Sequence, residues 1–137
     1  MKNKELLTSI PGIGEDTAHW LLSVIQTQKR FDSARQLVAF IGLNPTVFDS
    51  GTSVHKGGPI SKRGSSTIRA KLYFPSMSAI QCNVIIKPFY QKLLAKGKCK
   101  KVALIAAMRK LLHIAYGVIK HQEKFDKNFN VKLQIAA

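Results

Sequence analysis

The longest apolar stretch of this chain runs from Val102 to Ile119, and it constrains the fold more than any other segment. It is interrupted by Arg109 and Lys110, so a membrane-spanning helix of about 20 predominantly apolar residues is a poor interpretation. A helix that is apolar on most sides needs other elements packed around it. We therefore predict a buried helix over about 100–121 as the central element of an all-α domain.

The first 30 residues contain two amphipathic segments separated by Pro11-Gly-Ile-Gly-Glu15. Pro11 ends the first helix, while Gly12 and Gly14 permit backbone angles that other residues avoid. The pattern is similar to the helix-hairpin-helix motif of DNA-handling proteins, in which the glycines and the next helix N-terminus contact a phosphate. The alternative is a turn that only packs two helices, and the carboxylates of Glu15 and Asp16 beside it favour that alternative because they would repel a phosphate.

Glycines, prolines and capping residues divide the remainder of the chain into helices. The predicted elements are a second helix capped by Asp16 or Thr17, a helix from Ser33 to Ile41, a helix from Ser65 or Ser66 to Ile80 kinked at Pro75, a helix from Asn83 to Ala95 stopped by Gly97, and the central helix from Lys100 to His121. The tail after Glu123 is polar and expected to be loose. One domain results, with a helix-hairpin-helix over 1–30, a loop over 43–64, a helical core over 65–121 and a tail over 122–137.

No helical periodicity is present from Leu43 to Gly64, which we call the serine loop. Its glycines, prolines and hydroxyl residues predict a long loop or a short β-ribbon. Loops of this length in a compact domain are usually functional or mobile. Within it lies Ser50, which composition alone identifies only as the turn residue of Asp-Ser-Gly.

Charge is distributed very unevenly. Between Asp49 and Glu123 the sequence contains no acidic residue but fourteen Lys and Arg residues, and the net charge of the chain is +15. A surface of one sign predicts a polyanionic partner, nucleic acid before others. The hydrophobic content of 45% excludes a disordered basic tail. An anionic membrane surface is the rival partner, but the basic residues form no simple amphipathic cationic helix, so no membrane contact is predicted.

Metal sites and other catalytic classes have little support in the sequence. The two cysteines and four scattered histidines lack metal-ligand spacing, so no metal is predicted in this domain. Unpaired cysteines and an N-terminus without a signal-type apolar run predict a cytoplasmic protein. Tyr73, Phe74 and Tyr116 have helical spacing and apolar neighbours, so we expect them in the core, and a tyrosine recombinase is a poor interpretation.

Several motifs follow one another along nearly the whole chain. They are Phe31-Asp-Ser-Ala-Arg-Gln-Leu-Val-Ala-Phe-Ile-Gly-Leu-Asn-Pro45, Phe48-Asp-Ser-Gly-Thr-Ser-Val54, Ser61-Lys-Arg-Gly64 and Ile68-Arg-Ala-Lys-Leu-Tyr73. Together they resemble the C-terminal transposase domain of the DEDD-type insertion-sequence transposases related to the pilin-gene invertases. The resemblance implies DNA transposition or site-specific recombination guided by a bridge RNA, by a protein that is a homo-oligomer at full length.

The resemblance also implies a catalytic residue. The family's serine is the first residue of its Ser-Gly-[Ser/Thr]-Ser-Val motif, which falls on Ser50, and it forms a covalent phosphoserine link with the cleaved strand. In the family, Mg²⁺ is held by four carboxylates of a RuvC-like domain, which are not identifiable in this sequence. We therefore expect this chain to bind nucleic acid and not to recombine it alone.

Basic residues surround Ser50 in the sequence. The predicted nucleic-acid contacts are Lys56, Lys62, Arg63, Arg69 and Lys71, together with Gly12 and Gly14 of the hairpin. Arginine suits bidentate phosphate contact and lysine suits point-charge attraction. The alternative is a solvated basic face. His55 is a further candidate as general base for Ser50. The second hypothesis for the whole chain is a helix-hairpin-helix module that binds DNA or structured RNA without a covalent step.

Overall fold

The computed structural model describes residues 2–27, 33–41 and 66–126. Regular structure within these ranges is entirely α-helical, which confirms the predicted all-α class for this part of the chain. The helices are α1 (Lys2–Thr8), α2 (Glu15–Thr27), α3 (Ala34–Ile41), α4 (Ser66–Cys82), α5 (Ile86–Ala95) and α6 (Lys100–His121). The serine loop and its Ser50 lie outside the described residues.

Helix α6 is the central element, as its apolar sequence predicts. It packs against α1, α3, α4 and α5. Leu111, Leu112 and Ile114 are fully buried in one core that also includes Leu7, and Leu37 of α3. By length and composition alone α6 could cross a membrane, but more than half of its apolar window is buried inside the protein. The apolar side chains of α6 therefore form the surface against which the surrounding helices pack.

The N-terminus of α2 is set by Gly14. Its carbonyl accepts a hydrogen bond from the N–H of Ala18 at 2.9 Å, so Gly14 occupies the capping position and the helix begins at Glu15. The predicted cap at Asp16 or Thr17 is wrong, because both residues lie within the first turn. Carboxylates in that turn are favourable beside the positive end of the helix dipole, which gives Glu15 and Asp16 a local structural role.

The start of α5 also differs from the prediction. Asn83 does not begin the helix; its side-chain Oδ1 accepts hydrogen bonds from the N–H groups of Ile85 at 2.9 Å and Ile86 at 3.1 Å. An asparagine that bonds its own downstream backbone favours a turn or cap over a helix interior. The helix consequently begins three residues later, at Ile86.

The other end of α5 confirms the predicted stop. Gly97 has φ of 91°, and its N–H donates to the carbonyl of Leu94 at 3.0 Å. The N–H of Lys98 donates to the carbonyl of Leu93 at 3.1 Å. These two bonds form a Schellman motif, in which glycine tolerates the left-handed conformation that other residues resist.

Helix α4 continues through Pro75 and has two contrasting faces. Leu72, Pro75 and Ala79 are buried, while Tyr73 and Phe74 are exposed. The prediction that these two aromatic residues belong to the core is wrong. Because α4 carries apolar side chains around much of its circumference, the sequence alone did not indicate which side faces α6. The third aromatic residue, Tyr116 on α6, is partly buried against the core.

The segment after α6 returns to the N-terminal helix. Gln122 has φ of 54° and its Nε2 donates to Asn3 Oδ1 at 2.9 Å. Phe125 packs against the core, and its N–H donates to Ser9 Oγ at 2.9 Å. The prediction of a loose tail after Glu123 is therefore wrong at Phe125, since the apolar ring of this residue anchors an otherwise polar segment. Residues beyond 126 lie outside the described part of the chain.

Candidate nucleic-acid interface

The glycine turn between α1 and α2 is packed directly on α4. Gly12 has φ of 107°, and a Cβ built at this position would lie 2.8 Å from Ala79 Cβ and 2.9 Å from Ala79 Cα. No larger residue fits there without displacing the turn. The carbonyl of the preceding Pro11 accepts a hydrogen bond from Asn83 Nδ2 at 3.1 Å. Gly12 thus has a clear packing function, the alternative that the sequence left open.

Gly14 differs from Gly12. It is exposed, and a Cβ added to it would meet nothing within 4 Å. Helix α2 begins directly after Gly14. The first N–H groups of a helix have no intrahelical partner, and phosphates bind at such helix ends in other proteins. Exposed carboxylates of Glu15 and Asp16 lie in the same turn. Phosphate binding by Gly14 stays a prediction.

Arg69 connects the two helices that flank the serine loop in the sequence. Its Nη1 donates to the carbonyl of Ile41, the last residue of α3, at 3.0 Å. A cation at this position also faces the negative end of the α3 dipole. The bond joins residues that are 28 positions apart. Arg69 therefore holds the start of α4 against the end of α3, a structural role beside its predicted phosphate contact.

The other predicted ligands divide into two groups. Lys71 lies on α4 with its side chain exposed, where it is accessible to a polyanion. Outside the described residues lie Ser50, Lys56, Lys62 and Arg63, as does His55. Helix α4 thus contacts two of the predicted elements. The hairpin packs on it through Gly12, and Arg69 of the same helix bonds to the end of α3.

A cationic cluster on α3 and α6 was missed in the sequence analysis. Burial lowers the pKa of His113, and the positive charges of Lys110, Arg109 and Arg35 lower it further. Burial also lowers the pKa of Arg109 and of Lys110. The Lys110 ammonium lies 5.4 Å from the centroid of the Phe89 ring, within cation–π distance. The available signal was the interruption of the apolar stretch by basic residues at a spacing of one helical turn.

Acidic residues are confined to a few segments in the part of the chain that the structure describes. Exposed acidic side chains are found in α1, in the first turn of α2 and directly after α6, at Glu5, Glu15, Asp16, Glu123 and Asp126. Hydrogen bonds from Gln122 and Phe125 place the last of these segments beside α1. In contrast, α4, α5 and the turn over 96–99 contain basic residues and no acidic ones. A positive surface free of carboxylates favours contact with a phosphate backbone.

Sequence comparison identifies related proteins along most of the chain. Residues 4–91 match the model of the transposase IS116/IS110/IS902 family. The pilin gene-inverting proteins of Moraxella lacunata and Moraxella bovis are 39% and 38% identical over 126 residues, which is 91% of this chain and 39% of each relative. A 43.6 kDa protein of insertion element IS110 from Streptomyces coelicolor is 25% identical over 132 residues, or 96% of this chain and 32% of the relative.

These alignments bear on both the extent and the identity of the chain. The chain spans about two fifths of the length of the Moraxella relatives that it matches. The family match covers both the hairpin and the two helices joined by Arg69. Because the family model matches residues 4–91, more than half of its length, this chain belongs to the IS116/IS110/IS902 family of transposases.

Proposed function

We propose that this chain is the serine-bearing, DNA-binding part of a recombinase that breaks and rejoins DNA strands in transposition or inversion. The observation that carries the proposal is its similarity to the pilin gene-inverting proteins over 91% of its length. The acid-free basic surface of α4 and α5 supports it, because such a surface attracts the DNA backbone. Affinity for DNA should accordingly fall steeply as the salt concentration rises.

In this proposal Ser50 is the nucleophile. Its Oγ forms a bond to the phosphorus of the scissile phosphodiester, and the bond from phosphorus to the leaving oxygen breaks. The hydroxyl proton passes to a base, for which His55 is a candidate, and the leaving oxygen is protonated. One strand end is then held as a phosphoserine ester. Attack on that ester by a hydroxyl of another strand reverses the step and frees the serine, with no net loss of phosphodiester bonds.

The basic residues around the serine loop would stabilise the charge that develops on the phosphate. We assign this role to Lys56, Lys62 and Arg63 in the loop and to Lys71 on α4. Preorganised cations are effective because they need no reorganisation as the reaction proceeds. Arg69 joins α3 to α4, the two helices that flank the serine loop in the sequence, through its bond to the Ile41 carbonyl.

Further components complete the proposed reaction. Mg²⁺ belongs to the proposed reaction, and the described residues contain no group of three or more His, Cys, Asp or Glu side chains able to hold a metal. We propose that a RuvC-like domain outside this chain supplies it, and that this chain alone binds nucleic acid without recombining it. A bridge RNA as guide, a homo-oligomeric assembly and a cytoplasmic location belong to the same proposal.

A second candidate function is a helix-hairpin-helix module that binds DNA or RNA with no covalent step. The exposed Gly14 at the start of α2 favours it, because this end of the helix is open to a phosphate. The two functions differ in one product, since only the first forms a covalent protein–DNA adduct.

A covalent-trapping experiment distinguishes the two. This chain, joined to a RuvC-like half and supplied with guide RNA, target DNA and Mg²⁺, is compared with Ser50→Ala and Ser53→Ala on a denaturing gel. A slower protein–DNA band that is lost only in Ser50→Ala supports the nucleophile. Binding without a band in any sample supports the non-covalent module, and loss of binding in Ser50→Ala contradicts the assignment of Ser50.

A further inference from the structure

The exposed face of α4 carries a group of apolar side chains that the proposed chemistry does not use. Tyr73 is 43% exposed, Phe74 is 75% exposed and Met77 is 37% exposed. The rings of Tyr73 and Phe74 lie 5.4 Å apart between centroids with an interplanar angle of 84°. We call these three residues the aromatic stripe. Leu72 and Ala79 point into the core on the other side of the helix, so the stripe contributes little to folding.

The size of the stripe limits what can cover it. A large aromatic side chain offers roughly 150–250 Å² of surface, so the exposed parts of these three side chains together offer on the order of 300 Å². A stable interface between two proteins buries about 800 Å² on each partner. The stripe is too small for such an interface by itself, but it matches the stacking surface of one or two nucleotide bases.

The charges beside the stripe favour a nucleic acid over an apolar partner. Lys71 is exposed and lies three residues before Phe74, and Arg69 lies four residues before Tyr73. Residues three or four apart are neighbours on a helix surface. Helix α4 contains no acidic residue. A nucleotide stacked on either ring would therefore have its phosphate near a cation and away from any carboxylate of α4.

We propose that Tyr73 and Phe74 form a stacking platform for unpaired nucleotides, with Lys71 contacting the phosphate backbone. Bases within a duplex are stacked on one another, so a protein ring reaches a base face only where the strand is unpaired. This inference rests on the proposed nucleic-acid binding function and adds a preference for single strands. The platform begins at Tyr73, seven residues or about 10 Å of helical rise beyond the first residue of α4.

The test measures binding of the 137-residue chain to a fluorescein-labelled 20-nucleotide DNA and to the same sequence as a duplex, by anisotropy over a range of salt concentrations. In the double variant Tyr73→Leu/Phe74→Leu, we expect single-strand affinity to fall by roughly 5- to 100-fold, with duplex affinity changed by less than about twofold. The salt dependence should be unchanged, because leucine replaces rings and not charges.

Two control variants make the result specific. The pair Tyr73→Phe/Phe74→Tyr keeps both rings and should bind single strands as the wild type does. Val84→Ala removes an apolar side chain that is 56% exposed outside the stripe and should have no effect. Lys71→Ala should weaken both complexes and reduce the slope of affinity against salt.

Several outcomes would overturn the inference. An equal loss for both DNA forms in the leucine variant excludes stacking, as does unchanged single-strand affinity. A wild-type chain that dimerises in sedimentation, with a monomeric leucine variant, would show that the stripe is a self-association surface. If the wild type binds neither DNA form, the proposed nucleic-acid binding fails as well. If it binds both and the leucine variant is unaffected, only the stacking platform fails.

Discussion

Asn83 Nδ2 donates a hydrogen bond to the carbonyl of Pro11 at 3.1 Å, across 72 positions of sequence. The same fully buried side chain caps α5 through its Oδ1. One amide thus fixes the glycine turn of the N-terminal hairpin to the corner between α4 and α5. The position of Gly12 against Ala79 depends on this corner, so the bond links the hairpin to the helix that carries Arg69 and Lys71.

Replacing Asn83 should destabilise the fold substantially. Asn83→Ala leaves the Pro11 carbonyl and two backbone N–H groups without their partner, at a cost of about 2–4 kcal/mol in the free energy of unfolding. Urea denaturation, monitored by circular dichroism, measures this change in the free energy of unfolding. Gln81→Ala, at a nearby exposed position, should change stability by less than about 0.5 kcal/mol. Similar values for the two variants would show that the Asn83 bonds contribute little.

The two hairpin glycines should respond differently to substitution. Gly12→Ala adds a methyl group at 2.8 Å from Ala79 Cβ in a backbone conformation with φ of 107°, and we expect a loss of about 1–3 kcal/mol in stability. Gly14→Ala meets no neighbouring atom within 4 Å and should cost less than about 1 kcal/mol. Thermal unfolding compares the stabilities of the two variants.

DNA affinity that falls in a stable Gly14→Ala variant would support phosphate contact at this position, and unchanged affinity would contradict it.

Arg69 should separate structural from electrostatic effects. Arg69→Ala removes the bond to the Ile41 carbonyl and the positive charge at the end of α3, and should lower stability by about 1–2 kcal/mol. Lys71→Ala removes an exposed charge from the same helix and should leave stability within about 0.5 kcal/mol. Calorimetry on both variants checks this. Equal melting temperatures would mean that Arg69 does not hold α3 to α4.

His113 should make stability depend on pH. Burial, with the charges of Lys110, Arg109 and Arg35, lowers its pKa in the folded state, so the unfolded chain binds the proton more tightly. The contribution of His113 to the free energy of unfolding is therefore complete above the unfolded pKa of about 6.5 and is lost as pH falls through the lowered folded pKa.

Urea titrations between about pH 7.5 and 5 test this behaviour. His113→Gln should flatten the loss of stability at low pH relative to the wild type. His19→Gln, at an exposed position, should leave the loss unchanged. A wild-type profile that is already flat below about pH 6.5 would contradict the assigned role of His113.

Much of the fold was predictable because helix boundaries depend on local chemistry. The end of α5 and the whole of α6 were predicted correctly. A glycine such as Gly97 indicates a helix end in the left-handed conformation, and a long apolar stretch indicates a buried helix. The start of α5 was predicted three residues too early, at Asn83. An asparagine can lie in the first turn of a helix or cap a helix that begins further along, and the sequence did not distinguish the two. The resemblance to transposases was visible in the motifs, and the family match over residues 4–91 confirms it.

The candidate site was predictable only in part. Lys71 and Arg69 were predicted as nucleic-acid contacts because they follow Ser50 in a basic stretch, and that role stays a prediction. The bond from Arg69 to Ile41 was not predicted, because local patterns do not specify a partner 28 positions away. The cluster around His113 was likewise missed: charges on α3 and α6 become neighbours only when the two helices pack.

The sequence by itself determined the all-helical composition of the described part, the positive charge and the family, since these depend on residue types and their local order. The tertiary structure alone decided which faces are exposed. It turned Tyr73 and Phe74 outward, buried Asn83 against Pro11, and brought the acidic segment after α6 back to α1. The physical reason is that burial is a property of paired surfaces: an apolar helix face enters the core only where another element covers it, and pairing of distant segments settles which face that is.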